Sequence, residues 1–164
     1  MADRNERETI HDPYTAFNFR VELTLPDRPD YLCSANFAEC DGLEMTMEPK
    51  TIREGGNNSQ PIHLLGPVSY GQLSLKRGMT DNLDLWEWFD LVMQKGQGGL
   101  RASGQVVMLS ANRAEQVQFT LERCLPVKLK APALNAKDGM VAIEELQIAY
   151  ESLHFERGSQ AGEG

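Results

Sequence analysis

The sequence has few residues of the kinds that carry catalysis or bind metal. Its 164 residues include only three cysteines and three histidines. The cysteines, Cys33, Cys40 and Cys124, form no CxxC pair and have no histidine near them in sequence, so we expect no structural zinc site. We interpret all three as reduced, buried, small apolar side chains.

Long apolar runs and an excess of positive charge are also missing. No stretch of about 18 apolar residues occurs, so we expect no membrane span. The opening MADRNERETI is charged and has no apolar segment of the kind found in secretory signals. The net charge of −8 argues against a nucleic-acid-binding protein. It remains compatible with a surface along which nucleic acid slides without sticking, because like charges repel.

The motifs of the common enzyme classes are absent as well. His11, His63 and His154 stand far apart, and we interpret the first two as surface or interface residues rather than general bases. Glu144 and Glu145 are adjacent, so neither a strand nor a helix brings their carboxylates together. The GQGG at 96–99 follows a predicted helix and precedes no Lys-Ser/Thr pair, which argues against a phosphate loop. We therefore expect that the protein is not an enzyme and binds neither a metal ion nor a cofactor.

The sequence does contain periodic apolar patterns, and no interdomain linker separates them. We predict a flexible lead at 1–11, a single domain at 12–157 and a flexible tail at 158–164. Strict apolar alternation from Phe17 to Leu25 predicts a half-buried strand.

A projecting hairpin is predicted at 43–65. Leu43, Met45 and Met47 alternate with polar residues, as do Ile62 and Leu64. The GGNNS between them tolerates positive φ, which favours a hairpin tip.

A helix at about 81–95 carries both tryptophans of the chain. Thr80 or Asp81 is a suitable N-cap. Trp88 and Leu91 lie outside the main apolar stripe, so we expect them to contact a neighbouring subunit. The stripe itself is predicted to pack on the core through Leu85, Trp86, Phe89 and Val92.

The segment DGMVAIEELQIAYESLHFERG at 138–158 fits two structures. Ala142, Leu146, Ala149, Tyr150 and Leu153 form a helical stripe. Leu146, Ile148 and Tyr150 also alternate as in a strand, and the DG at its start favours a tight hairpin turn. The pattern alone leaves both open.

Four blocks, in order, carry a resemblance to a known family: DPYTAFNFRVEL, CDGLEMTMEPKTIREGG, HLLGPVSYGQLSLKRGMTDNLDLWEWFDLVM and PVKLKAPALNAKDGMVAIEELQIAYESL. Together, over most of 13–155, the sequence resembles the tail tube proteins of contractile-tailed phages and phage-tail-like contractile injection systems. The resemblance implies a mainly β fold of two packed antiparallel sheets, a barrel-like sandwich with one helix and a protruding hairpin. It also implies that 141–153 is a strand, with bulges near Glu144–Glu145 and before Leu153.

The same resemblance implies a structural subunit that assembles as six-membered rings stacked into a hollow inner tube. Its partners would be a surrounding sheath, baseplate, spike and tube-terminating proteins, and a cargo of effector protein or DNA in the lumen. Assembly would take place in the cytoplasm of the producing cell, followed by incorporation into the particle. Two alternatives stay open: a baseplate-proximal paralogue that initiates the tube, and a monomeric ligand-binding β-sandwich.

The residues expected at the interface between subunits or rings lie in the hairpin and on the helix. They are Met45, Met47, Ile52, Arg53, Gly55, Asn57, Ile62, His63, Trp88 and Leu91.

Overall fold

The structure, a computed structural model, describes residues 18–26, 31–35, 37–53, 55–56, 60–95 and 101–158, without the side chains of 31–35 and 95. The predicted lead at 1–11 and most of the predicted tail lie outside these residues. Within them, no helix is long and apolar enough to cross a membrane.

The described residues form twelve β-strands and one α-helix. In chain order the strands are β1 (Phe19–Thr24), β2 (Tyr31–Ala35), β3 (Glu39–Asp41), β4 (Met45–Met47), β5 (Lys50–Ile52), β6 (Ile62–Leu64), β7 (Val68–Tyr70), β8 (Gln72–Gly78), β9 (Ala102–Leu109), β10 (Glu115–Lys130), β11 (Ile143–Ala149) and β12 (Ser152–Arg157). The helix α1 spans Asp84–Lys95.

Two antiparallel sheets share the long strand β10. The first sheet has the order β2-β1-β9-β10-β12, and the second has the order β10-β11-β8-β3. The pairing of β10 with β9 shifts between Leu121 and Cys124, and Arg123 there has a φ of 54°. This bulge turns one strand from the first sheet into the second. Pro126 lies within β10 and does not end the strand.

The core lies between the inner faces of the two sheets. Alternation places Val21 and Leu23 of β1 on the inner face of the first sheet, and Leu73 and Leu75 of β8 on that of the second. All four are fully buried in one apolar cluster. The predicted two-sheet sandwich is therefore confirmed, although the sheets do not close into a barrel.

The helix packs on this core in a different rotation from the one predicted. Trp88 is 0% exposed and belongs to the core together with Leu85. Val92 packs on it, partly buried, whereas Trp86 and Phe89 are half-buried and border a surface groove. The tryptophan that packs in the core is therefore Trp88, whereas the sequence pattern predicted Trp86.

The helix begins three residues later than predicted. The backbone N–H of Asp84 donates to Oδ1 of Asn82 at 3.0 Å, so Asn82 caps the first turn. Thr80 supports this cap, because its Oγ1 accepts from the N–H of Asn82 at 3.2 Å.

The last segment forms two strands rather than a helix. Strand β11 pairs with β8 in one unbroken register from Ile143↔Gly78 to Ala149↔Gln72, so the bulge expected near Glu144–Glu145 is wrong. Glu144 has an inward position in that register and is buried, which explains the apparent change of phase in the sequence. The turn expected at the DG lies earlier, at residues 136–137.

Candidate functional site

The segment from Met45 to Tyr70, hereafter the arm, forms two short antiparallel ribbons. In the ribbon nearer the domain, Met45 lies opposite Tyr70 and Met47 opposite Val68. Directly opposed side chains share a face, so these four form one apolar face. Met45 is 53% exposed, and Met47 and Val68 are also exposed.

The ribbon farther from the domain repeats this arrangement. Lys50 lies opposite Leu64 and Ile52 opposite Ile62, which places all four side chains on one face. Its three aliphatic side chains are exposed. Apart from Tyr70, which packs against the core, the apolar side chains of both faces are exposed in the described part of the chain.

Residues 48–49 and 65–67 connect the two ribbons and belong to neither of them. A Cβ at Gly66 would lie 1.6 Å from the backbone oxygen of Glu48, so only glycine fits there. Pro49 and Pro67 lie in these connections and fix φ on both strands. The connection therefore combines two prolines that restrict the backbone with a glycine that permits its close approach to the opposite strand.

The base of the arm is bonded to the core. The hydroxyl of Tyr150 donates to the backbone oxygen of Gly42 at 2.7 Å and accepts from the N–H of Glu44 at 3.1 Å. Burial is the main reason that the pKa of Tyr150 is raised. Its ring lies 5.7 Å from that of Tyr70. The arm therefore projects from a fixed base.

The structure leaves most of the predicted interface residues of the arm exposed. Arg53, Gly55 and His63 are exposed, in addition to the four apolar residues Met45, Met47, Ile52 and Ile62. Asn57 lies outside the described residues.

Of the two predicted interface residues of the helix, Trp88 is corrected and Leu91 stays a prediction. Trp88 is fully buried within its own chain, so its side chain has no surface to offer a neighbour. Leu91 is half-buried. The error arose because the apolar surface of α1 is wide enough to fit more than one rotation about the helix axis.

A buried polar cluster, which sequence reasoning missed, joins the helix to the second sheet. Nε of Arg77 donates to Oε1 of Glu144 at 2.5 Å, and the indole N–H of Trp86 donates to Oε2 at 2.9 Å. The guanidinium also lies 5.7 Å from the centroid of the Phe37 ring and donates to the backbone oxygen of Asn82. The cluster links the KRG of β8, the first tryptophan of LDLWEWF and the first glutamate of IEEL.

Two cysteines of the described residues have buried or partly buried thiols. Burial raises the pKa of the Cys40 thiol to about 11 and that of Cys124 to about 12. Both thiols are therefore protonated and poor nucleophiles at neutral pH. In the described residues, no group of three or more His, Cys, Asp or Glu is placed to hold a metal ion.

Comparison with solved structures finds the same fold in several proteins. A chain of the anti-feeding prophage baseplate, solved with six-fold symmetry, is 26% identical, with a TM-score of 0.79 over 90% of this chain and 98% of that chain. A chain of the PVC sheath–tube complex, an extracellular contractile injection system, is 14% identical, with a TM-score of 0.72 over 90% and 94%. An Hcp protein is 10% identical, with a TM-score of 0.52 over 85% and 98%.

Comparison of the sequence with known families shows which family the chain belongs to. No curated protein matches it significantly. Residues 15–154 match the family described as T4-like virus tail tube protein gp19. This match spans the arm, the shared strand β10 and all three members of the Arg77–Glu144–Trp86 cluster. The chain is thus a member of the T4-like virus tail tube protein family, whose proteins form part of phage tails and related injection particles.

Proposed function

We propose that this protein is the repeating subunit of the inner tube of a contractile phage tail or injection system. Six copies form a ring, and rings stack into a hollow conduit inside a sheath. The observation that carries the proposal is the arm, which holds exposed apolar side chains on a fixed base. A soluble monomer rarely leaves such faces uncovered, whereas a subunit covers them with its neighbours.

Strand edges give the same indication. In the described part of the chain, β2 and β12 end the first sheet, and β3 ends the second with no further strand paired to it. Open edges are aggregation sites unless another strand or chain covers them. A head-to-tail ring covers such edges, because its rotation closes.

Charge bears on what passes through such a conduit. Six copies of a chain with net charge −8 carry about −48 per ring. A negative lumen would let DNA or an acidic protein pass without sticking. We propose that the protein has this structural role and no enzymatic one, and that it assembles in the cytoplasm before joining sheath, baseplate, spike and terminating proteins.

Electron microscopy and light scattering of the purified protein test the proposal. We expect six-membered rings at micromolar concentration and tubes as the concentration rises. A protein that stays strictly monomeric, even when mixed with baseplate proteins, would be the monomeric β-sandwich and would refute the tube proposal.

A second candidate, the baseplate-proximal tube initiator, is supported by the 26% identity to a chain of the anti-feeding prophage baseplate. An initiator and a main tube subunit differ in how far they polymerise. Isolated rings that never extend without an added tube protein would favour the initiator, and long tubes from this protein alone would favour the main subunit.

A further inference from the structure

A second exposed apolar surface lies far from the arm, and the sequence reasoning did not find it. The loop from β10 to β11 exposes Leu134 by 92% and Met140 by 83%, and Val141 is also exposed. Met79 and Ile143 add to it, since the N–H of Met79 donates to the backbone oxygen of Ala142 at 2.8 Å. We name Met79, Leu134, Met140, Val141 and Ile143 the loop pole.

The loop pole is held in shape before any partner binds. Nδ2 of Asn135 donates to Oδ2 of Asp138 at 2.9 Å, and Oδ1 of Asn135 accepts from the N–H of Lys137 at 3.0 Å. The loop surrounds a cavity of about 310 Å³ whose walls include Leu134 and Met140. A pre-ordered concave surface loses little conformational entropy on binding.

The arm and the loop pole lie at opposite ends of the second sheet. Strands β8 and β11 pair from Gln72↔Ala149, beside the base of the arm, to Gly78↔Ile143, beside the loop pole. These seven residues separate the two ends by about 20 Å. One copy therefore offers a projecting apolar element at one end and a concave apolar one at the other.

The charges near the two ends are of both signs, with a small excess of opposite sign at each end. At the loop pole, Asp81, Asp84 and Asp138 outnumber Lys130 and Lys137. At the ribbon of the arm farther from the domain, exposed Lys50 and Arg53 outnumber exposed Glu48. Opposite charges at the rim of an apolar contact favour one orientation of docking over others.

We propose that the far ribbon of the arm, with Ile52, Ile62 and Leu64, docks on the loop pole of a second copy in the next ring. This inference rests on the proposed tube function and names the acceptor of the arm. The two surfaces differ, so the contact is heterologous and each docked copy presents a free arm at one end and a free loop pole at the other. Such a contact extends a stack without limit.

Disulfide cross-linking tests the contact directly. The double variant Leu64→Cys with Val141→Cys places one thiol on each surface, and we expect oxidation to give a ladder of dimers, trimers and longer products. The matched control is Leu64→Cys with Met93→Cys, since Met93 is 64% exposed but lies on the helix. Each single variant controls for the native cysteines. Tubes that form without a ladder in the first pair, or with an equal ladder in the control, overturn the inference.

A charge placed in the loop pole gives an independent readout. We expect Met140→Asp to form rings but to lose tubes, whereas Met93→Asp keeps both. If Met140→Asp fails to fold, as judged by circular dichroism, Leu134→Asp at the loop surface replaces it. Tubes of normal length from a folded loop-pole variant would refute the inference and leave the tube function intact. Wild-type protein that forms neither rings nor tubes would refute the tube function itself.

Discussion

Two regions of the molecule place polar and apolar side chains in opposite environments. One is the junction between the helix and the second sheet, and the other is the arm. At the junction, a carboxylate and a guanidinium are buried and paired, with side-chain exposures of 1% for Glu144 and 7% for Arg77. In the arm, aliphatic side chains stay exposed on a backbone that is tied firmly to the core.

This difference shows which region has all of its stabilising contacts within one chain. The junction satisfies its buried charges with residues of the same chain, so its stability is local. The arm leaves apolar area in water, which is a cost to the isolated subunit that a neighbour would remove. We therefore expect substitutions in the junction to change the free energy of unfolding, and substitutions in the arm to change assembly.

Truncation of Trp88 should have the largest effect on stability. Trp88→Ala removes the largest fully buried side chain of the core, and we expect it to lower the free energy of unfolding by about 4–5 kcal/mol. Denaturant unfolding measures the loss. Met93→Ala, on the exposed side of the same helix, should change it by less than about 0.5 kcal/mol. Similar losses in the two variants would mean that the helix is oriented differently.

Removal of Glu144 should come next. Glu144→Leu takes the counter-charge from the buried Arg77, and we expect a loss of about 3 kcal/mol, because one partner of a buried ion pair then keeps its desolvation cost. The double variant Arg77→Met with Glu144→Leu should recover part of this loss. Glu145→Leu is the matched control, since its side chain points to the other face of the strand. A double variant less stable than either single one would contradict this account.

Loss of the indole hydrogen bond should have a smaller effect. Trp86→Phe keeps an aromatic ring but removes the donor to Glu144, and we expect a loss of about 1 kcal/mol. A double-mutant cycle with Glu144→Gln isolates the coupling between the two side chains. A coupling energy near zero would show that the bond contributes nothing to stability.

A substitution in the arm should change assembly strongly and stability little. Met45→Asp is expected to change the free energy of unfolding by less than about 0.5 kcal/mol, because Met45 is exposed. Ring stacking, scored by electron microscopy, should be lost. Unfolding must be measured at low concentration, since assembly itself stabilises the native state. Normal tubes from this variant would show that the near ribbon takes no part in the interface.

Thiol labelling should show the smallest effect, one on reactivity alone. Burial raises the pKa of Cys40 to about 11 and of Cys124 to about 12. The thiolate fraction at pH 8 is therefore below that of the unfolded chain, and we expect slow labelling that accelerates only as the pH approaches 11. Ellman's reagent on a Cys33→Ser variant measures this, with the denatured protein as control. Fast labelling of the folded protein at pH 8 would contradict it.

Alternation with a period of two predicted single strands and the hairpin, whereas the two-sheet sandwich was implied by the resemblance to the tail tube proteins. Sequence reasoning found the helix but not its rotation, since α1 has apolar residues over most of its circumference and periodicity cannot choose between Trp86 and Trp88. It did not find the Arg77–Glu144 pair, because a buried charge breaks the apolar alternation and was read as a bulge. The loop pole was missed because its apolar residues have no period at all.

The shared strand β10 has a mechanical consequence. Glu122, Arg123 and Cys124 connect the two sheets through covalent backbone, and Glu151 holds both Arg123 and Arg101 across the bend. The two sheets can therefore separate only by opening at the edges away from this corner, because covalent bonds hold the corner itself.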